Sequence, residues 1–212
     1  MYIPSSFAQS DLGALHDFID QYSFALLVSQ FQNEPFATHL PLILNRSLGP
    51  NGTLLGHVAR ANPQWTVGDG QTVLAIFSGP HAYISPTWYQ SERTVPTWNY
   101  VAVHVYGRFE RIESEAELIE LLRTMADYFE SSMPQPWKVD TDADFIRKMA
   151  AQIVGFRIAI ERVEGKWKLN QNQPAERQRR VIEKLQEQTD EDSQAIAALM
   201  KANLSQLQEP HV

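Results

Sequence analysis

The stretch FSGPHAYISPTWYQSERTVPTWNYVAVHVYG, residues 77–107, decides how the chain is read. Its C-terminal end alternates, with Val101, Val103 and Val105 set against Ala102, His104 and Tyr106. Period two is the mark of a strand with two distinct faces. The whole stretch carries seven aromatics: Phe77, Tyr83, Trp88, Tyr89, Trp98, Tyr100 and Tyr106. The chain average of 10% would give about three. Pro80, Pro86 and Pro96 punctuate the run. A core strand has no use for prolines, and an ordinary surface loop has no use for two tryptophans. Tryptophan and tyrosine bury large areas while keeping one polar handle. That suits a planar aromatic ligand, or an aromatic interface between subunits, and one surface can serve both. Prolines in such a loop hold its shape before anything binds.

Working outward, short β-like runs precede this stretch: SFALLVSQ (23–30), PFATHLPLIL (35–44), GTLLGHVA (52–59) and QTVLAIFSG (71–79). Turn signals separate them at Asn33-Glu34, GPNG (49–52) and GDG (68–70). Leu12, Leu15, Phe18 and Ile19 mark a helix before them, capped by Ser10 or Asp11. The strand YVAVHVYGRFERI (100–112) is followed by a helix. Ser114 and Glu117 form its capping box, and Leu118, Leu121, Leu122, Met125 and Phe129 form its apolar stripe. Thr141 and Asp144 open a second helix reaching about Gln152, after the loop SSMPQPW (131–137). GFRIAIERV (155–163) returns to strand alternation, and Glu164-Gly165 with KWKL reads as a hairpin. From Pro174 the chain turns helical and polar, with a loose end expected. Strands first and helices interrupting and trailing predict an α+β fold with an antiparallel sheet or barrel. The division expected is 1–173 for the barrel domain and 174–212 for a helical C-terminal extension.

Composition narrows the function. Cysteine is absent from the 212 residues, which removes disulfides, thiolate metal sites and cysteine nucleophiles. The hydrophobic content of 43% is enough for a full core. The N-terminus MYIPSSFAQSD lacks the pattern of a signal peptide, and no apolar run reaches membrane-spanning length. A cytoplasmic protein with no membrane partner is the expectation. The net charge of −7 disfavours a broad DNA-binding surface. His16, His39, His57, His81, His104 and His211 make no metal-spaced pair, so no metal site is expected. There is no GxSxG, GxGxxG or P-loop.

Three segments carry candidate chemistry. In GHVARANPQW (56–65), Arg60 offers a planar fork suited to phosphate, and Asn62 adds donors at a turn; a solvated strand end explains the same residues. The aromatic stretch is the second segment. In GKWKLNQNQP (165–174), lysines flank Trp167 and amides follow, which also fits a plain hairpin end. ERQRRVIEKLQEQ resembles a DNA-contacting helix only superficially. From Pro174 onward five cationic residues face seven acidic ones, and Glu176–Arg180 and Arg179–Glu183 are i,i+4 pairs of a solvated helix.

Several blocks together resemble one family. GHVARANPQW, LAIFSGPHAYISPTWY, VPTWNYVAVHVYG and GFRIAIERVEGKWKLNQN are similar to the PaiB-type negative transcriptional regulators, and MYIPSSF and FATHLPLIL fit them as well. The likeness runs from residue 1 to about 187. It implies an antiparallel split β-barrel that binds FMN, usually as a homodimer with flavin at the subunit interface, and a repressor role. It also implies site residues. Arg60 and Asn62 face the FMN phosphate with His57 close by. Tyr83, Ser85 and Trp88 come from the aromatic stretch, as do Thr97, Trp98 and Asn99, and Lys168 and Gln171 complete the pocket. Related split barrels include pyridoxamine-phosphate oxidases, flavin reductases and haem-utilisation proteins. The alternative function is therefore a flavin-dependent oxidoreductase or a haem-utilisation-type enzyme, with the flavin carrying the chemistry. Trp88, Tyr89 and Trp98, read as free loop aromatics, favour a homodimer. Direct DNA binding is expected to be weak and salt-sensitive, resting on Arg177, Arg179 and Arg180.

Overall fold

The computed structural model describes residues 1–66, 70–90, 92–140 and 144–206. Eight strands are described: β1 (Ala8–Gln9), β2 (Phe24–Phe31), β3 (Glu34–Pro41), β4 (Ile43–Asn45), β5 (Thr53–Ala59), β6 (Thr72–Ile84), β7 (Thr97–Arg111) and β8 (Ile153–Lys168). Five helices accompany them: α1 (Leu12–Gln21), α2 (Glu115–Glu130), α3 (Asp144–Ala150), α4 (Ala175–Gln186) and α5 (Glu191–Gln206). The strands form one antiparallel sheet in the order β3-β2-β6-β7-β8-β5-β4, with β1 added to β8. This is the expected α+β class.

The chain resolves into two compact units. One comprises Met1–Asp11, Ser78–Val103 and Glu164–Val212; the other comprises Leu12–Phe77 and His104–Val163. The long strands β6, β7 and β8 contribute residues to both. Residues on either side of position 173 fall in the same unit.

The larger unit is built on buried alternation. Gln32 and Asn33, both at positive φ, turn β2 into β3 so that Phe31 pairs with Glu34. This two-residue hairpin turn matches the strand twist, and it sits one residue earlier than expected. Phe109 and Phe156 stack with centroids 4.8 Å apart in the core. Leu118, Leu121 and Met125 of α2 pack with Ile43 and Ala150. Gly155 makes this possible, because a Cβ there would meet Leu118 Cδ1 at 2.7 Å. Of the predicted stripe, Phe129 stays exposed, near the C-terminal end of α2. Ser114 caps α2 as expected, its Oγ accepting from the Glu117 N–H.

The smaller unit holds β1, the ends of the long strands, and α4 and α5. Val181, Ile182 and Leu185 of α4 are buried, as are Ile196, Ala197 and Met200 of α5. The polar C-terminal segment is therefore packed along one face of each helix, and only its other face is solvated. Arg180 Nη1 donates to the Tyr89 carbonyl at 3.0 Å, anchoring α4.

Three local expectations are corrected. Glu164-Gly165 does not turn the chain: β8 continues through to Lys168, because β1 pairs there, with Gln9 opposite Gly165 and Ala8 opposite Lys166. The stretch 77–107 is mostly strand, since β6 runs on to Ile84 and β7 starts at Thr97; a 3-10 turn, Pro86–Tyr89, lies between. Pro80 sits inside β6. Tyr89 is no free loop aromatic. It is 4% exposed, and its hydroxyl accepts from Asn170 Nδ2 at 2.9 Å. The GDG turn at Gly68 and Asp69, the helix start at Thr141, His211 and the loose end after Gln206 lie outside the described residues.

Candidate functional site

The first residues of β7 explain how one strand can serve two surfaces. Successive side chains of a strand point to opposite faces. Asn99, Val101 and Val103 are buried. Asn99 is 0% exposed, and its amide donates to Met200 Sδ of α5 at 3.3 Å. Trp98, on the alternate face, is 52% exposed. Tyr83 of β6, 46% exposed, meets the Trp98 ring edge-on at 5.8 Å, and His81 lies 6.0 Å from it. Trp98, His81 and Tyr100 border an open recess of about 330 Å³. Lys166 Nζ lies 5.0 Å from the centre of the Tyr100 ring, a cation held against the aromatic face.

Thr97 faces a different cavity, of about 280 Å³, which it lines with Lys168 and Asn170. Lys168 Nζ donates to Thr97 Oγ1, and to the Trp98 carbonyl at 2.6 Å. Burial, and then the neighbouring Lys166 charge, push the Lys168 ammonium below the usual lysine range. Ser85 caps the 3-10 turn, accepting from the Thr87 N–H at 3.3 Å. Trp88 is half-buried within that turn. Gln171 folds back on its own backbone, donating to the Trp167 carbonyl at 2.5 Å and accepting from the Leu169 N–H at 2.7 Å.

The other three expected residues belong to the larger unit. Arg60 Nε donates to the Ala151 carbonyl at 2.8 Å and Nη2 to that of Ile153 at 2.9 Å, so two arms of the fork tie the end of β5 to the segment entering β8. Arg60 also lines a cavity of about 360 Å³ with Trp65, Arg111 and Arg147. Asn62 donates to Thr38 Oγ1 at 2.9 Å and accepts from the Gln64 N–H at 2.9 Å. His57 lines an apolar cavity with Trp137 and Met149. Burial pushes its imidazole below the ordinary histidine value, and its Nδ1 has no hydrogen-bond partner.

The structure thus brings Tyr83 to Trp98, and Thr97 to Lys168. Asn99, buried against Met200, lines neither hollow. Sequence reasoning missed His81 and Tyr100 on the aromatic face, although their period-two spacing from Tyr83 and Trp98 signals it. It also missed Arg93, Asn170 and Arg177 in the Lys168 cavity, where no spacing rule connects positions so far apart.

Residues 1–162 match the family described as "Putative FMN-binding domain". The chain belongs to this family. FMN is the cofactor that membership assigns. The likeness extends to a curated relative: over 206 residues the chain is 37% identical to protease synthase and sporulation protein PAI 2 of Bacillus subtilis, covering 96% of this chain and 98% of that one. It is also 27% identical to an uncharacterised protein of Aspergillus fumigatus, over 95% of this chain and 97% of the other. Among solved structures, the flavocytochrome Anf3 of Azotobacter vinelandii superposes with a TM-score of 0.59 at 18% identity, over 76% of this chain and 69% of that one. The FAD and heme binding protein of Mycobacterium smegmatis gives 0.58 at 16%, over 76% and 73%. These likenesses show the fold, the antiparallel split barrel of flavin-binding proteins.

The residues present suit the family's cofactor. A flavin needs a flat, largely apolar wall and donors for its oxygens and phosphate. The smaller unit offers the exposed aromatic face. In the larger unit a different cavity is lined by Arg60, Arg111 and Arg147 together with Glu113 and Glu115, and His57 lines another.

Proposed function

We propose that this protein is a cytoplasmic, FMN-binding negative regulator of the PAI 2 type, working as a homodimer with flavin at the subunit interface. The observation that carries the site is the exposure of Trp98, together with Tyr83, His81 and Tyr100, on regular strands. Aromatic side chains fixed on strands are already ordered, so little entropy is lost when a planar ring covers them. Bound FMN supplies reversible electron transfer. The chain's own part is to stack the ring and to exclude water from one side of it. The Lys168 ammonium holds the Thr97 hydroxyl and the Trp98 carbonyl in place behind that wall.

The regulatory half of the reading is supported by the identity to PAI 2 across almost the whole chain. It does not need α4 to enter a DNA groove. Arg177 donates to Gln173, and Arg179 and Arg180 each pair with Glu176. Arg179 and Arg180, already paired with a carboxylate, release fewer counterions from DNA, which keeps direct binding weak and salt-sensitive.

Replacing Trp98 by alanine tests the site. Aromatic stacking contributes about 1 kcal/mol beyond area burial, so FMN affinity should fall at least roughly fivefold. Fluorescence titration reads the change, and far-UV circular dichroism checks the fold. Equal FMN affinity in wild type and variant would take the flavin off this face.

A further inference from the structure

The cavity behind Thr97 is not explained by a ring stacked on Trp98. Thr97 and Trp98 are consecutive in β7 and point to opposite faces of the strand. Trp98 borders the aromatic recess, whereas Thr97 borders the cavity of about 280 Å³. We propose that this cavity is a second binding site, separate from the flavin's, for a small ligand bearing a dianionic phosphate group.

Charge is the first argument. Arg93, Lys168 and Arg177 line the cavity, and among the described residues no carboxylate does. Three cations around one hollow are out of keeping with a chain whose net charge is −7. An anionic group in the hollow would have all three within its lining, and a dianion gains most from such a set. The state of Lys168 agrees, since the bonds it makes to Thr97 and Trp98 go to neutral oxygens, and burial holds its ammonium below the usual range.

The neutral lining is the second argument. Thr97, Asn170 and Asn172 add hydroxyl and amide groups between the cations. Arginine forks meet phosphate oxygens two at a time, and a hydroxyl or an amide N–H can serve the remaining oxygen. Size is the third. Ligand pockets usually span about 300–1,000 Å³, so a cavity of about 280 Å³ is at the small end. It fits inorganic phosphate or a compact phosphomonoester better than a whole flavin nucleotide. Arg93 and Asn170 both adopt the left-handed region, with φ of 60° and 63°. Non-glycine residues persist there only where the surroundings enforce it.

The test is calorimetry on the full chain with three probes: inorganic phosphate, FMN and riboflavin. Wild type is compared with Arg93→Gln and with Arg177→Gln, each checked for fold by circular dichroism. Arg93 is exposed and makes the safer variant if Arg177→Gln disturbs α4. The proposal expects saturable phosphate binding to wild type, weakened about tenfold or more in each variant, with FMN and riboflavin affinities unchanged. Absence of saturable phosphate binding to wild type overturns it. So does phosphate binding that Arg93→Gln leaves intact. A variant that loses FMN affinity but keeps riboflavin affinity would make the cavity the flavin's own phosphate holder, and the separate site would fall. The phosphate arm reads the cavity whether or not flavin binds, so a failure of the flavin reading remains distinguishable.

Discussion

His57 and His104 are partly buried strand residues whose Nδ1 atoms have no hydrogen-bond partner. Burial lowers both imidazoles from the ordinary value, so both are neutral in the folded protein near pH 7. Between their lowered folded values and the unfolded value of about 6.5, the unfolded chain binds more protons than the native one. Stability therefore rises with pH through that window and falls as pH drops below about 6.5. Thermal unfolding at stepped pH from 7.5 down to 5, illustrative settings around about 6.5, should show this decline, and a His57→Gln/His104→Gln double variant should flatten it. Equal slopes would mean that other groups dominate. The lowered carboxyls of Asp127 and Asp190 act in a separate window, below the ordinary aspartate value of 3.8. At this scale the sequence was only partly informative. The density of aromatics around Trp98 and Tyr83 was legible, but the sequence read them as loop residues whereas they stand on β6 and β7. The bonds of Arg60 to the carbonyls of Ala151 and Ile153 were not legible, because those partners lie far along the chain. Side chains show their own donors in the sequence but not which backbone carbonyls the fold brings to them.

Alternation in β7 was the most legible element of the fold. Val101, Val103 and Val105 are buried, and Ala102, His104 and Tyr106 are less so. Gly107 continues that buried series, and its missing side chain is required. A Cβ there would lie 2.3 Å from the Ala159 carbonyl oxygen and 2.7 Å from Ile158 Cγ2. The carbonyl is backbone in β8 and cannot swing aside. Overpacking costs about 1–3 kcal/mol when side chains can adjust, so Gly107→Ala should lose about 3 kcal/mol or more, read by urea denaturation. A loss below about 1 kcal/mol would show that β7 and β8 can separate locally. The hairpin expected at Glu164-Gly165 was misread for a related reason. Gly-containing dipeptides mark turns by local preference, but β1, from the other end of the chain, pairs alongside and keeps β8 extended. Local signals located the elements well. Long-range pairing decided where β6, β7 and β8 end.

At the scale of the whole molecule, the account joins family membership to one exposed aromatic surface. A single chain with Trp98 and Tyr83 facing solvent carries an apolar patch that a partner subunit or a flavin should cover. Fold class and family were legible because several long blocks of sequence occur in order. A second copy across that patch belongs to the proposed function, since one sequence does not display its own interface. One measurement tests the central claim most directly. The purified protein is incubated with excess FMN, desalted, and passed through gel filtration with light scattering and visible absorbance recorded together. The account predicts a flavin band that co-elutes with a particle of twice the 24.2 kDa chain mass, near one FMN per chain. A protein peak without flavin absorbance, or a particle at the mass of a single chain, would contradict it.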